Sequence, residues 1–271
     1  MFCRVDENNK RYGGMIKIAF FDIDGTLVSF KTHSVPLSTI HAIEQLRAKG
    51  VKVFVATGRH KDTINNLGEL QFDGYVTMNG AYCYAGDEVI FKLPIPHEDV
   101  MSMLELQRSY KEFPVFFLAE NRISANFFNA ETDELIKLIN FPVPPIESID
   151  VIRRREIFQM VSFFTGEDAS YVMSKIPSCS DARWYPTFTD IINKDASKMV
   201  GVQKILDYYG FKPDEAMAFG DGGNDIPMLK AVEYSVAMGN AVDEVKAVAN
   251  YVTTDVDSDG ILNALQYFSV I

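Results

Sequence analysis

Two aspartates separated by one residue follow an apolar stretch near the start of the chain. Asp22 and Asp24 lie in the sequence FFDIDGTL, directly after the mainly apolar run from Ile16 to Phe21. Because side chains i and i+2 of an extended chain point to the same face, the two carboxylates are predicted to lie together. Close carboxylates repel unless a proton or a cation lies between them, and aspartate oxygens suit Mg²⁺. A strand end followed by an Asp-Gly turn is the structural alternative.

Three later motifs carry side chains that suit phosphate and metal binding. A threonine hydroxyl at a strand end, with the N–H groups beside it, can bind phosphoryl oxygens, and a lysine at a helix start can neutralise their charge. An asparagine at a helix N-terminus can donate to an anion, and carboxylates in a glycine-rich turn suit Mg²⁺ ligation or its surroundings. In this order, the residues are Thr57-Gly58-Arg59, Lys198, Asn224, and Asp221 with Asp225.

These residue types together favour phosphoryl transfer, which depends mainly on positioning and charge neutralisation. Asp22 can be a nucleophile, since carboxylates can attack phosphorus to form an aspartyl-phosphate. Asp24 can give a proton to a leaving alcohol and later take one from water. Each motif alone also fits an ordinary loop, a helix cap or a solvated lysine. Their order and spacing together indicate a phosphate site.

The alternation of apolar and helical patterns predicts an α/β fold. Strands are predicted at residues 16–21, 51–56 and 75–78, with helices from about 40 to 50 and from 62 to 70, which is the signature of a parallel sheet. Hairpin, helical and short β patterns then follow. The first pattern resumes at Lys198, and a further short strand is predicted at residues 216–219. We predict a Rossmann-like parallel-sheet core, residues 15–82 and 194–271, an inserted α+β domain, residues 83–193, and a disordered extension, residues 1–14.

Composition limits the classes of partner. The 271 residues carry a formal net charge of −11, which argues against nucleic acid and against an anionic membrane surface. Cys3, Cys83 and Cys179 form no metal-binding pattern, so we expect a reducing compartment and a cytoplasmic protein. There is no apolar run of about 18 residues and no signal-peptide pattern. We therefore expect no membrane association, and we expect a monomer.

The motifs resemble those of the haloacid dehalogenase-like phosphatases, over nearly all of residues 15–271. The branch it is most similar to is the Cof type, in which an α/β cap is inserted after the third strand, and Met78-Asn79-Gly80-Ala81 matches the hinge entry of that branch. Within it, the chain is similar to bacterial hexose-phosphate phosphatases through Thr-Leu-Val-Ser-Phe after the nucleophile motif and Arg183-Trp184-Tyr185-Pro186.

The resemblance implies a role for each motif residue. Asp22 would be the nucleophile and a Mg²⁺ ligand. Asp24 would be the acid/base and would bind Mg²⁺ through its backbone carbonyl. The remaining implied roles fall to Asp221 as a third metal ligand, Asp225 as support of the metal site, and Thr57, Lys198 and Asn224 as holders of the phosphoryl group. The lysine motif Asp195-Ala196-Ser197-Lys198-Met199 departs from the branch, which often has glycine after the lysine. Candidates for contact with the leaving group are Arg59, Arg183, Trp184 and Tyr185, and Gly58 is a further candidate for substrate binding.

The resulting expectation is a Mg²⁺-dependent phosphatase of small phosphate monoesters, with hexose phosphates as the first candidates and phospho-Asp22 as the intermediate. The ring pair Trp184-Tyr185 could stack on a sugar face, although packing within the cap is the favoured use. One alternative is a phosphotransferase or phosphomutase that passes the phosphoryl group to another alcohol. The other is a phosphosugar-binding module without catalysis.

Overall fold

The computed structural model describes residues 16–271, without the side chain of Trp184, in two compact units. Of the described residues, the first unit holds 16–54, 66–73 and 209–271, and the second holds 55–65 and 74–208. The predicted extension, residues 1–14, lies outside the described residues. Over the described part of the chain, none of the helices combines the length and the apolar character needed to cross a bilayer.

Strands and helices alternate at both ends of the chain. The strands are β1 Ile18–Phe21, β2 Lys52–Ala56, β3 Gly74–Thr77, β4 Tyr82–Ala85, β5 Glu88–Lys92, β6 Val115–Ala119, β7 Arg122–Ala125, β8 Ile157–Ser162, β9 Cys179–Tyr185, β10 Phe188–Asn193, β11 Ala216–Gly220, β12 Tyr234–Ala237 and β13 Tyr251–Val252. The helices are α1 Leu37–Ala48, α2 His97–Ser109, α3 Ala130–Leu138, α4 Ile149–Ile152, α5 Gly166–Lys175, α6 Lys198–Tyr209, α7 Ile226–Ala231, α8 Asp243–Val248 and α9 Gly260–Tyr267.

The first unit is built on parallel strands in the order β13-β12-β11-β1, and residues 52–54 of β2 follow β1. Phe21 of β1 is in register with Phe219 of β11, and their rings stack at 4.6 Å. Both strands are buried along their whole length, as expected for parallel strands covered on both faces. The apolar residues Ala42, Ile43 and Leu46 of α1 are buried at helical spacing. The predicted α/β fold with a parallel-sheet core is confirmed.

The second unit contains two antiparallel assemblies. Strand β3 pairs with the hairpin β4-β5, and a separate five-stranded sheet has the order β7-β6-β8-β10-β9. Helices α2 and α5 share an apolar cluster with one face of the five-stranded sheet, and the other face shares a cluster with residues 78–82. This sheet lies entirely within the predicted insertion, residues 83–193, whose exact boundaries stay a prediction.

The predicted helix from Asp62 to Leu70 is wrong. This segment contains only a 3-10 turn, Lys61–Thr63. The Thr63 carbonyl accepts a hydrogen bond from Arg59 Nη1 over 2.9 Å, so a side chain occupies a carbonyl that a helix would pair with a later N–H group. Gly68, with φ +61°, then breaks any helical path. Strand β10 and the short α4 were not predicted, since their segments lack a clear period.

Candidate active site

Asp22 and Asp221 follow two neighbouring parallel strands. Asp22 comes directly after β1, and its N–H donates to the Phe219 carbonyl of β11 over 3.1 Å. Asp221 comes directly after β11, and both aspartates are buried, with 7% and 8% of their surface exposed. Because the strands are parallel and adjacent, their carboxyl ends meet at one edge of the sheet, where ligands collect in such folds.

Asp225 completes a cluster of three carboxylates. It lies in the 3-10 turn Gly223–Asp225, and its Oδ2 accepts the N–H groups of Asp221 over 3.0 Å and of Gly222 over 2.9 Å. One carboxylate oxygen from each of Asp22, Asp221 and Asp225 lies within 4.8 Å of the others. Three buried carboxylates this close repel one another unless a proton or a cation lies between them. An all-oxygen donor set fits Mg²⁺.

Two polar side chains outside the predicted set orient Asp221. The hydroxyl of Thr26, fully buried, donates to Asp221 Oδ1 over 2.9 Å. Asn240, which follows β12, donates from Nδ2 to the Gly25 carbonyl over 2.8 Å and lies 3.4 Å from Asp221 Oδ2. Asn240 was missed because it lies more than 200 residues from the nucleophile motif. The signal in the sequence is that Asn240 is the first polar side chain after the short apolar strand β12.

The chain turns directly after β1, around Asp24. The N–H of Leu27 donates to the Asp22 carbonyl and that of Val28 donates to the Ile23 carbonyl. The shared face of Asp22 and Asp24 stays a prediction. Asp24 is partly exposed, and its carboxylate is not one of the three clustered ones. Its acid/base role stays a prediction.

Gly25 and Asn224 also belong to the loops around the cluster. Gly25 has φ +85°, and a Cβ on it would lie 2.2 Å from Asp221 Oδ2, so only glycine permits the approach of that carboxylate. Asn224 is exposed and lies in the 3-10 turn that precedes the short α7, instead of in the first turn of a longer helix.

The second unit places the Thr57 motif at the end of β2. Thr57 is 1% exposed, and its N–H donates to the Val76 carbonyl of β3 over 2.8 Å. Its Oγ1 accepts the Arg59 N–H over 3.1 Å, which leaves the hydroxyl proton for another acceptor. The guanidinium of Arg59 donates to the Thr63 carbonyl of its own loop. A Cβ on Gly58 would meet the amide of Asn79 at 3.1 Å.

Lys198 begins α6, as predicted, and is buried with 1% of its surface exposed. Burial of a lysine is stable only with anionic or hydrogen-bonding partners.

Residue Ser197, which precedes Lys198, has its carbonyl oxygen against Gly80, where a Cβ would lie 2.0 Å from that oxygen. Met78, Asn79 and Gly80 all have positive φ, +48°, +54° and +89°. Gly80 adopts this conformation without cost, but at Met78 and Asn79 it is a strained backbone of the kind found at functional sites.

The remaining candidates from the insertion have contacts within it. Arg183 donates from Nη2 to the Phe164 carbonyl over 2.9 Å and from Nη1 to the Pro186 carbonyl over 3.2 Å. Tyr185 stacks on Phe188 and donates to Glu134 over 2.8 Å, so the favoured packing use of Tyr185 is present. The side chain of Trp184 lies outside the described residues. Substrate contact by Arg183 and Trp184 stays a prediction.

Comparison with known proteins identifies relatives over nearly the whole chain. The family model described as haloacid dehalogenase-like hydrolase matches residues 19–265. YkrA of Bacillus subtilis (strain 168), provisionally named a phosphatase, is 32% identical over 257 residues, covering 94% of this chain and 98% of YkrA. YitU of the same strain, named 5-amino-6-(5-phospho-D-ribitylamino)uracil phosphatase, is 28% identical over 264 residues, covering 92% of this chain and 96% of YitU.

Solved structures agree with these relatives. The haloacid dehalogenase subclass IIB sugar phosphatase BT4131 matches with a TM-score of 0.86 and 46% identity, over 94% of this chain and 100% of that one. The phosphatase BT1666 from Bacteroides thetaiotaomicron matches with a TM-score of 0.88 and 38% identity, over 98% of this chain and 100% of that one. The chain therefore belongs to the haloacid dehalogenase-like hydrolases and is a phosphatase of that family.

Proposed function

We propose that this protein is a Mg²⁺-dependent phosphatase of small phosphate monoesters, with hexose phosphates as its preferred substrates. The observation that carries the proposal is the buried cluster of Asp22, Asp221 and Asp225 at the ends of two adjacent parallel strands. The likeness to a sugar phosphatase at 46% identity supports the choice of substrate class. We further propose a cytoplasmic monomer that binds neither nucleic acid nor membranes.

The proposed first step transfers the phosphoryl group to Asp22. A carboxylate oxygen of Asp22 attacks phosphorus, the bond between phosphorus and the ester oxygen breaks, and Asp24 gives its proton to the leaving alcohol. In the second step Asp24 takes a proton from water, whose oxygen attacks phosphorus and releases phosphate from Asp22. A bound Mg²⁺ would neutralise phosphoryl charge and allow the anionic ester to approach the carboxylates.

The phosphoryl group needs donors besides a metal. We assign this role to the hydroxyl of Thr57, the ammonium group of Lys198 and the amide of Asn224, on the basis of the family resemblance. The buried position of Thr57 and Lys198 supports the assignment, since desolvated donors interact more strongly with an anion. Gly58, Arg59, Arg183 and Trp184 are the proposed contacts to the rest of the substrate.

The test of the reaction is phosphate release from a panel of hexose, pentose and nucleoside monophosphates, with Mg²⁺ and with a chelator. We expect chelator-sensitive release that is fastest with hexose phosphates. A ribitylaminouracil phosphate belongs in the panel because YitU is named for that substrate; faster release from it than from any hexose phosphate would overturn the substrate class. Release that continues unchanged with the chelator would overturn the metal requirement.

Replacing Asp22 by asparagine tests the nucleophile. Asp22→Asn keeps the shape but removes the attacking charge, so we expect kcat to fall by at least about 10³-fold with the fold preserved. Asp87→Asn, the same chemical change in the exposed turn between β4 and β5, is the matched control and should leave kcat unchanged. Isolation of phosphate bound to the protein after acid quenching should succeed with wild type and fail with Asp22→Asn.

The phosphotransferase alternative is tested with the same preparations. If an added sugar alcohol accepts the phosphoryl group faster than water does, then product analysis will show a new phosphate ester with little free phosphate. We expect free phosphate to account for nearly all of the substrate consumed.

A further inference from the structure

Asn240 makes hydrogen bonds with three separate parts of the first unit. Its Nδ2 donates to the Gly25 carbonyl over 2.8 Å and lies 3.4 Å from Asp221 Oδ2, and its Oδ1 accepts the Val256 N–H over 2.9 Å. Two partners are oxygens and the third is an N–H group, so the partners determine which end of the amide points to which loop. A primary amide can satisfy all three at once, and a carboxylate or an aliphatic side chain cannot.

We propose that Asn240 is a positioning residue for the carboxylate cluster and sets the affinity of that cluster for its divalent cation. The proposal rests on the proposed use of Asp22, Asp221 and Asp225 as a metal site. Asn240 is not itself a ligand in this proposal. It acts through Asp221 and through the turn at Gly25.

Asp221 shows how this positioning works. Thr26 donates to its Oδ1 and Asn240 approaches its Oδ2, so donors on both oxygens restrict rotation of the carboxylate. Each carboxylate oxygen has more than one acceptor site, so a donor on it still leaves room for a cation. Without the Asn240 donor, repulsion from the other two carboxylates would favour rotation of Asp221 away from the cluster.

The backbone around Asn240 gives the amide a firm support. A Cβ on the preceding Gly239 would lie 2.4 Å from Asp255 Oδ1, so the two chain segments are in close contact there. The turn Val256–Ser258, which holds the Asn240 oxygen, also binds Lys31 through a 2.8 Å ion pair with Asp257. The amide therefore links the loop after β1 to the turn Val256–Ser258.

The experiment measures binding of Mn²⁺ to the substrate-free protein by electron paramagnetic resonance, with Asn240→Ala and Asn263→Ala compared to wild type. Asn263 is the matched control because its amide donates to Thr254 Oγ1 and to the Ser258 carbonyl, at the same turn, but to no residue of the cluster. We expect the Mn²⁺ dissociation constant to rise about 10- to 100-fold for Asn240→Ala and to stay within about twofold for Asn263→Ala, as for partners of metal ligands generally.

Circular dichroism of the metal-free variants checks that both fold. A second variant, Asn240→Leu, keeps the size of the side chain and removes all three hydrogen bonds, so it should weaken Mn²⁺ binding as Asn240→Ala does.

If folded Asn240→Ala and Asn240→Leu bind Mn²⁺ as tightly as wild type, the positioning role is refuted while the proposed function stands. If wild type binds no Mn²⁺, the proposed metal site itself is refuted. Saturating Mg²⁺ should restore most of the kcat of Asn240→Ala, since the defect lies in affinity.

Discussion

A single buried hydroxyl determines the position of one oxygen of Asp221. Thr26 has no exposed surface, and its donor distance of 2.9 Å to Asp221 Oδ1 lies within the range of O–H···O hydrogen bonds. Its backbone N–H donates to the Ile23 carbonyl, so the same residue also closes the turn after Asp22. At the scale of single residues, the cluster depends on neutral donors as much as on its carboxylates.

Replacing this hydroxyl by a methyl group should reduce catalysis more than stability. Thr26→Val keeps the shape but leaves Asp221 Oδ1 without its donor, so we expect kcat/KM to fall about 10-fold or more and the free energy of unfolding to fall by about 1–3 kcal/mol. Steady-state kinetics and urea unfolding measure the two effects. Thr253→Val is the control, since this buried hydroxyl donates to the Gly260 carbonyl. Equal losses of kcat/KM in both variants would contradict a specific role of Thr26.

At the scale of elements, the start of helix α6 is in close contact with residues 78–80, the segment of positive φ that follows β3. Gly80 lies against the carbonyl of Ser197, and Asn79 N–H donates to the Thr57 carbonyl over 3.0 Å. The short segment of residues 78–80 therefore contacts both the end of β2 and the start of α6. A change at Gly80 should affect Thr57 and Lys198 together.

Gly80→Ala tests this contact. A Cβ would lie 2.0 Å from the Ser197 oxygen at φ +89°, so strain and steric overlap should together cost about 3 kcal/mol or more of unfolding free energy. Gly210→Ala, just after the other end of α6, has φ +67° and no atom within 4 Å of the new Cβ, and should cost only about 1–2 kcal/mol. Thermal and urea unfolding measure both. A Gly80→Ala protein as stable as Gly210→Ala would show that the loop relaxes freely.

At the scale of the whole molecule, the stability of the protein should depend on the charge state of His60. His60 is 1% exposed, its Nε2 lies 2.8 Å from the Ala119 carbonyl, and its Nδ1 accepts the Asp62 N–H over 3.1 Å. These bonds require the neutral ring with its proton on Nε2. Burial lowers the pKa of His60 below its usual value, against weaker opposing effects that include the Ala119 carbonyl and the Asp62 carboxylate.

A lowered pKa means that the unfolded chain binds a proton more readily than the folded one. The stability that His60 contributes is therefore full above the unfolded pKa of about 6.5 and is lost as pH falls below it, by at most about 1.4 kcal/mol per pH unit. His60→Gln, which can still donate to Ala119, should show a smaller difference in unfolding free energy between pH 7.5 and pH 5.5. The exposed His41→Gln is the control. An unchanged difference in His60→Gln would exclude His60 as the source.

Local patterns in the sequence were sufficient for the fold class and for most of the carboxylates. Apolar runs that end in polar residues predicted β1, β2 and β11, and Asp22 and Asp221 follow two of these strands. Such patterns suffice because a buried parallel strand needs a continuous apolar segment, and because ligands collect at the carboxyl ends of these strands. The start of α6 at Lys198 was found for a similar local reason.

Contacts between distant segments were decided only by the tertiary structure. The donors that orient Asp221 come from Thr26 and Asn240, which are 195 and 19 residues away along the chain. The turn after β1 and the absence of the predicted helix after Asp62 likewise depend on hydrogen bonds that no hydrophobic period in the sequence encodes. A hydrophobic period reports which face of an element is buried, and it carries no information about which polar group on another loop will meet a given carboxylate. The sequence by itself therefore determined the sheet and the acids that follow its strands, and only the folded chain decided how those acids are held.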